Sequence, residues 1–371
     1  MHSQPRYPNL TCDLARLRAN AAQVIARCQA AGIQVAGVIK GVNARLPMVT
    51  AFLEGGCRQL GTSRLEQVED CRAAGIDAPF LLLRIPQLCE LDDVVRLCQM
   101  SLESDVTTLD ALEEVCIRQG REHSVLLMAD LGDLREGFWG AEELVRAAVH
   151  VEQELPHLHL AGIGTNLGCY GAIRPTRAKM EELVELAQQV EAAIGRRLEL
   201  ISGGATTSYP LVVDGQMPER INHLRIGENI LLGYDLRHEW GRTDLDYLDG
   251  QVFTLRAQVV EVRRKPSYPQ GEIFMDAFGN CPEYEDRGIR CRALVALGKL
   301  DAGELSHLHP RLPGVTVLGG SSDHTILDVE DCPRPIRVGD VLEFDLSYSA
   351  LLYLTAARSV TIDYHTDSFL I

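Results

Sequence analysis

One lysine, Lys40, ends a short apolar run that could place it inside the protein. The run, IQVAGVIK from Ile33, is rich in valine and isoleucine and lies between Gly32 and Gly41. This composition is typical of a buried parallel strand, and Lys40 would then stand at its carboxyl end. A buried ammonium group is costly unless it is neutralised, for example by forming an imine with an aldehyde. On this stretch alone, a lysine that simply leaves the strand into solvent is the simpler interpretation.

Other polar groups follow later apolar runs in the same way. They are Arg84, residues 130–135 (DLGDLR), Thr165 with Asn166, SGGATTS at 202–208 and LRIGENILLGY at 224–234. Backbone amides of glycine-rich turns, here around Gly204 and Gly227, bind phosphate, and Thr206, Thr207 and Ser208 could add hydroxyl donors. Glycine and threonine are also ordinary loop residues. A phosphate-binding turn that shares one face with an imine-forming lysine is what pyridoxal 5′-phosphate requires, and we favour that interpretation.

The elements that must position these groups alternate strand and helix about eight times over roughly the first 235 residues. The predicted strands cover residues 33–40, 58–62, 80–84, 100–102, 124–129, 158–165, 198–202 and 222–226. This alternation predicts an α/β fold with a parallel β/α (TIM-type) barrel, whose working residues sit at the carboxyl ends of the strands. An open doubly wound sheet is the alternative, but IKGVNARL after the first strand is not a glycine-rich dinucleotide turn.

After Gly233 the pattern changes to strands separated by Pro, Gly and Asp turns, with little helix between them. These strands cover residues 251–263, 290–297, 315–319 and 341–346 and predict a mostly β domain. We therefore expect a β/α barrel domain over residues 1–240 and a C-terminal β domain over residues 241–371. The boundary is placed between Tyr234 and Gln251.

Composition and charge exclude several classes of protein. The 371 residues are 46% hydrophobic and 24% charged, as in an ordinary soluble protein with two domains. The net charge, 36 − 52 = −16, argues against binding to nucleic acid or to an anionic membrane. Neither a membrane span nor an apolar signal segment is visible. The 11 cysteines are irregularly spaced without C-x-x-C, which indicates a reducing cytoplasm and predicts no metal site.

Six motifs spread over nearly the whole chain indicate the protein family more specifically than composition and periodicity do. They are LLLRIP (81–86), MADLGDLREG (128–137), GIGTNLGCYG (162–171), INHLRIGENILLG (221–233), DAFG (276–279) and SSDHTILDV (321–329). They resemble the fold-type III, alanine racemase-like enzymes, most closely the branch of amino-acid racemases that includes ornithine racemase. The resemblance implies pyridoxal 5′-phosphate as cofactor, an amino acid as the small-molecule substrate, and a homodimer in which the partner subunit's β domain completes the site.

The resemblance also implies roles for individual residues. Lys40 would be the lysine that holds the cofactor. Arg135 would steady the cofactor's phenolic oxygen and the substrate carboxylate, although a surface ion pair with Glu136 or Asp133 is the alternative. Arg225, in R-I-G, falls against the pyridine nitrogen, where decarboxylases of this fold have a glutamate. An arginine keeps that nitrogen unprotonated and favours brief proton exchange over wider carbanion chemistry.

The remaining correspondences surround the phosphate and the ring. Gly204, Thr206, Thr207, Gly227 and Tyr348 would bind near the phosphate, and Asn166 stands where a histidine backs the ring. Three further departures are Met128 at the site of a carbamylated lysine, Ala44 near a phosphate-binding tyrosine, and Phe278 in place of the catalytic tyrosine on the opposite face.

Phe278 leaves the second catalytic base unassigned. The candidates are Asp276, Tyr284, Cys281 and His324. Asp276 is our first choice because it lies two residues before Phe278, on the same face of an extended segment. A turn-forming aspartate is the alternative interpretation of that residue.

We therefore expect a racemase in which Lys40 acts as a base on one face of the substrate α-carbon. A decarboxylase of the same fold and a non-catalytic pyridoxal phosphate-binding regulator are the alternatives. Glu228, Asp276 and Asp286 could receive a cationic side chain, and the resemblance points to ornithine or another cationic amino acid. Alanine, serine and lysine remain open.

Overall fold

The computed structural model describes residues 6–233, 235–238 and 240–366. They form two compact units. The first runs from Leu17 to Leu248, whereas the sequence suggested a boundary at 240/241. The second combines the residues from Asp249 onward with those up to Arg16, which include strand β1 (Asn9–Asp13). The amino-terminal strand therefore groups with the carboxy-terminal third of the chain.

Eight parallel strands close the Leu17–Leu248 unit into a barrel. They are β2 (Gln34–Val38), β3 (Gln59–Thr62), β4 (Phe80–Leu82), β5 (Met100–Glu103), β6 (His123–Met128), β7 (Leu158–Gly164), β8 (Leu200–Ser202) and β9 (His223–Ile226). The last strand meets the first, since Ala36 pairs with Gln59 on one side and with Arg225 on the other. The predicted barrel is confirmed, and all strand carboxyl ends open at one end of it.

Helices alternate with the barrel strands along the chain, and the first of them precedes β2. They are α1 (Leu14–Ala30), α2 (Leu46–Glu54), α3 (Leu65–Ala73), α4 (Leu91–Leu97), α5 (Val106–Gln119), α6 (Ala141–Glu154), α7 (Arg177–Ile194), α8 (Tyr209–Val213), α9 (Glu228–Leu231) and α10 (Asp235–His238). Capping residues in the local sequence determine where some of these helices begin and end. The Asp105 carboxylate accepts the first amides of α5, and Gly120 ends that helix in the left-handed conformation.

The barrel interior is filled by apolar side chains from several strands. Ala36, Leu81, Leu102, Leu126 and Met128 form one buried cluster drawn from β2, β4, β5 and β6. Residues of β2 and β5 can meet only across the barrel, so Leu102 points inward. Its neighbours Ser101 and Glu103 therefore point outward, because successive side chains of a strand alternate.

The second unit is built on antiparallel strands. They are β10 (Phe253–Pro266), β11 (Ile289–Val295), β12 (Leu308–Pro310), β13 (Thr316–Gly320), β14 (Thr325–Asp328), β15 (Val341–Leu346) and β16 (Thr361–His365), with α11 (Lys299–Ala302) and α12 (Tyr348–Ala356). Strand β1 pairs antiparallel with β10 and parallel with β16. The sequence did not predict β1, β12, β14, β16 or α12. The missed strands have three to five residues, too few for a periodic pattern.

In the described ranges, no helix combines the length and the apolar character needed to cross a membrane.

Glu103 makes stability depend on pH. It is fully buried, and burial raises its pKa to about 8, although the Ser101 hydroxyl donates to Oε1 at 2.5 Å. The native state therefore holds this proton more tightly than the unfolded chain, where the carboxyl titrates near 4.5. Its contribution to stability is fully present below about pH 4.5 and is lost as the pH rises towards 8.

We expect Glu103→Gln to remove this loss of folding stability at high pH. The free energy of unfolding at pH 8.5 should then exceed that of the wild type, by about 1.4 kcal/mol for each pKa unit of the shift. Urea unfolding at pH 6.0 and 8.5 measures it, with the exposed Glu114→Gln on α5 as control. A difference between Glu103→Gln and the wild type that is the same at both pH values would contradict the assignment.

Candidate active site

Lys40 lies just beyond the carboxyl end of β2. The sequence predicted a strand that continued to Lys40, but the strand ends at Val38 and Lys40 begins a 3-10 turn, Lys40–Val42. Asn43 and Ala44 follow with φ of 47° and 48°, so the backbone is in the left-handed conformation directly after this turn. The Lys40 side chain is half-buried at the end of the barrel where the strand carboxyl ends open.

The electrostatic surroundings of Lys40 favour its neutral form. Burial lowers the pKa of its ammonium group, and the Arg135 guanidinium lowers it further. Arg225 acts in the same direction, whereas Cys169 and Glu136 oppose it. A neutral amine is a nucleophile and a base, so this position suits Lys40 to attack an aldehyde or to accept a proton.

Arg135 lies in the loop that follows β6. Its Nε and Nη2 face the two carboxylate oxygens of Glu136, and its Nη1 donates to the Cys169 sulfur at 3.0 Å. The ion pair with Glu136 that the sequence suggested is therefore present. It lies at the open end of the barrel, where both charges act on Lys40. Glu136 and Cys169 were not predicted as site residues, and neither residue type marks a site by itself.

Asp133 fixes the loop that carries Cys169. Its carboxylate is buried and accepts four backbone amides of the loop after β7, those of Gly168, Cys169, Tyr170 and Ile173, at 3.0–3.4 Å. One side chain thus ties the β7 loop to the β6 loop. It holds Cys169 beside Arg135, a structural role that the sequence did not reveal.

The SGGATTS segment forms a tight turn after β8. Gly204 has φ +112°, and a Cβ at this position would lie 2.6 Å from the Ser208 Oγ. Thr206 and Ser208 are buried, and Ser208 Oγ has no hydrogen-bond partner among the described residues. Thr207 Oγ1 donates to the Leu167 carbonyl at 2.8 Å and so ties the turn to the β7 loop. A buried hydroxyl without a partner, next to a glycine turn, is suited to bind an oxyanion.

Gly227 brings a second backbone segment to the end of the barrel where the strand carboxyl ends open. It packs so closely on β2 that a Cβ would lie 2.6 Å from the Val38 carbonyl oxygen. The short helix α9 starts directly after it. Asn229, in that helix, is buried, and its Nδ2 has no partner among the described residues. Gly227 is therefore placed beside the strand that leads to Lys40.

Arg225 is the most deeply buried cation of the barrel site. It is 4% exposed and donates to the Ser202 Oγ at 2.5 Å and to the Thr165 carbonyl at 2.7 Å. Both acceptors are neutral. Burial lowers its pKa to about 10, while Glu136 acts in the opposite direction, so the guanidinium stays charged at neutral pH. Asn166, half-buried, follows the residue whose carbonyl Arg225 binds.

The other predicted site residues lie in the second unit. Tyr348 begins α12. Asp276 is in an exposed turn, where its carboxylate accepts the amides of Phe278 and Asn280, each at 2.8 Å. The Asn280 side chain and these amides lower the pKa of Asp276. Cys281, Tyr284 and His324 are exposed. The role of Asp276 as a base stays a prediction.

Comparisons with known proteins agree with this geometry. Residues 12–235 match the family model for the alanine racemase N-terminal domain. Over 346 residues the chain is 38% identical to the ornithine racemase of Acetoanaerobium sticklandii, covering 93% of this chain and 96% of that one. It is also 38% identical to the lysine racemase of Thermotoga maritima, with 93% and 95% covered. A crystal structure of alanine racemase from Streptomyces lavendulae superposes with a TM-score of 0.74 at 19% identity, covering 98% of each chain.

The charges around Lys40 generate a pair of opposite predictions. Arg135→Gln removes a charge that lowers the Lys40 pKa, so the pKa should rise. Glu136→Gln removes a charge that raises it, so the pKa should fall. Competitive acetylation of the cofactor-free protein across pH, read by mass spectrometry of the Lys40 peptide, measures both shifts.

The exposed ion-paired Lys265 in the β unit is the internal reference. Both variants should leave its titration unchanged. Shifts of the same sign in the two variants would show that Arg135 and Glu136 do not act on Lys40 through their charges.

Proposed function

Because this chain belongs to the alanine racemase family, we propose that it interconverts the L and D forms of a cationic amino acid such as ornithine or lysine. Two relatives at 38% identity over more than nine-tenths of the chain are named for those activities. Their agreement on a basic amino acid supports the substrate class. The chain is thus an amino-acid racemase, an isomerase, and its preference between ornithine and lysine is part of the proposal.

Enzymes of this family depend on pyridoxal 5′-phosphate, and the residues of the barrel fit it. Lys40 would hold its aldehyde carbon, and Arg225 would face its ring nitrogen. Gly204, Thr206 and Gly227 would surround its phosphate, and the buried Ser208 hydroxyl there has no hydrogen-bond partner within the described part of the chain. When bound, the cofactor withdraws electrons from the substrate α-carbon and makes its hydrogen acidic.

The protein side chains would then hold the substrate and move the proton. Lys40, with its lowered pKa, accepts the α-hydrogen on one face of the substrate. Arg135 is fixed by Glu136 and by the Cys169 sulfur, and it offers a cation to the substrate carboxylate. Asp133 keeps this arrangement rigid by binding the β7 loop.

The single observation that favours racemisation over decarboxylation is the environment of Arg225. This guanidinium is buried and charged, and among the described residues its hydrogen bonds go to neutral acceptors. Its field disfavours a proton on any nitrogen that faces it. A ring kept unprotonated stores little charge, which favours a brief proton exchange over chemistry that needs a persistent carbanion.

We propose that the enzyme is a homodimer in the cytoplasm. The family likeness supports the dimer, and so do the exposed apolar residues Phe274, Met275 and Phe278 between β10 and β11, of which Phe274 is 78% exposed. The 11 cysteines are all free, which supports a reducing compartment.

Chiral chromatography tests the function. With pyridoxal 5′-phosphate added, either enantiomer of ornithine or lysine should converge on an equal mixture, faster than alanine or serine. Lys40→Ala should abolish turnover, the visible absorbance and the label that borohydride fixes on that peptide. Release of carbon dioxide, or no conversion of any amino acid by the wild type, would overturn the proposal.

The second proton carrier is predicted to be Asp276, with Tyr284, Cys281 and His324 as the other candidates. Its loss should slow turnover by about 10²–10⁴-fold, the usual size of a general acid–base contribution. Lys40 should still exchange the α-proton of one enantiomer with solvent deuterium, because it acts on one face only. Each single variant is followed by proton NMR in D₂O from both enantiomers. Normal racemisation in all four would show that the carrier lies elsewhere, for example in the barrel.

A further inference from the structure

A line of hydrogen bonds inside the barrel leads from the start of β3 to Arg225. The Gln59 Oε1 lies 3.1 Å from the His223 Nε2, and the His223 Nδ1 lies 2.8 Å from the Ser202 Oγ. The same Oγ accepts from the Arg225 Nη1 at 2.5 Å. His223, Ser202 and Arg225 are each at most 4% exposed. Ordinary barrel packing would place apolar side chains at such positions, so this polar line needs an explanation.

The chemistry of the groups fixes the direction of each bond. An amide oxygen can only accept, so the Nε2 of His223 carries the hydrogen that faces Gln59. A neutral imidazole with a hydrogen on Nε2 has a lone pair on Nδ1, which accepts the hydroxyl hydrogen of Ser202. The Ser202 oxygen is then left with lone pairs only, and one of them faces Arg225.

This arrangement requires His223 to be neutral. Burial and, as the smaller cause, the Arg225 charge together lower the pKa of His223 to about 3. A protonated ring would donate from Nδ1 to the same Ser202 oxygen that Arg225 binds, so two cations would face one hydroxyl and the serine hydrogen would lose its acceptor. Above the pKa of His223 this does not occur.

We propose that Gln59, His223 and Ser202 form a relay that sets the orientation of Arg225, and that His223 is a positioning residue for the racemase. The inference rests on the proposed function, since it concerns the guanidinium that would face the cofactor ring. Two bonds hold the Arg225 head group, one to Ser202 and one to the Thr165 carbonyl. With His223 accepting the serine hydrogen, the serine cannot turn that hydrogen towards the guanidinium. Arg225 is thereby held in one orientation without a carboxylate that would offset its charge.

Two substitutions of His223 separate positioning from packing. His223→Leu removes the acceptor of the serine hydrogen, whereas His223→Asn keeps an acceptor oxygen close to the place of Nδ1. We expect His223→Leu to lower kcat by about tenfold or more, the size of a buried hydrogen bond to a charged group, with little change in KM. The visible absorption of the bound cofactor, followed across pH, should shift as well. His223→Asn should restore both towards the wild type.

His123 provides the matched control. It is also buried and also lies 3.0 Å from a serine, Ser101, and burial lowers its pKa to about 4. That serine donates to Glu103 on the outer side of the barrel wall. His123→Leu should therefore cost stability but leave kcat and the absorption spectrum unchanged.

Three results would overturn the relay. They are wild-type kcat and spectrum in His223→Leu, the same losses in His123→Leu, or no recovery in His223→Asn. If His223→Leu does not fold, Gln59→Leu at the partly exposed end of the line decides the question: a shifted spectrum and a lower kcat support the relay, and wild-type values refute it. A wild type that racemises no amino acid would instead refute the proposed function, so the two failures are distinguishable.

Discussion

The whole site depends on burying one guanidinium to which no carboxylate of the described ranges is bonded. Arg225 is 4% exposed, and its bonds go to a hydroxyl and a backbone carbonyl. Burying a charge in this way is costly, and a directly bonded carboxylate is the usual remedy. Here Glu136 acts on Arg225 through its charge while it binds Arg135 directly. This unfavourable burial leaves the positive field of Arg225 available to a bound group.

Backbone contacts bring the charged side chains together. Asp133 accepts four amides of the β7 loop, and Gly227 packs on the Val38 carbonyl oxygen. On β7, a Cβ at Gly162 would lie 1.8 Å from the Leu200 carbonyl oxygen, so only glycine lets β7 and β8 approach so closely. These contacts tie neighbouring strands and loops of the barrel to one another. They help to fix the geometry that a racemase needs, because a base must meet the α-carbon within hydrogen-bonding reach.

The barrel could be predicted because each strand is a short apolar run between helix-length segments. The roles of Lys40 and Arg225 come from the resemblance of their motifs to alanine racemase-like enzymes, since on its own stretch Lys40 could equally leave the strand into solvent. The rest depends on contacts between distant parts of the chain. Asp133 looks like a surface residue until the β7 loop folds over it. Strand β1 is recognisable only through its pairing with β10 and β16, more than 200 residues away. His223 directly precedes the LRIG motif in the sequence. Its hydrogen bond to Ser202 forms only when the barrel has closed and β8 and β9 are neighbours.

The choice of neutral acceptors for Arg225 also explains why the polar line continues beyond it. A carboxylate in place of Ser202 would hold the guanidinium by charge, but it would also offset the positive field that Arg225 presents to a bound group. A hydroxyl preserves the field, yet it can rotate and present its hydrogen instead of its lone pair. Something must hold that hydrogen away, and an imidazole kept neutral by burial and by the arginine itself does so. The charge of Arg225 thus helps to maintain the neutral partner on which its own orientation depends.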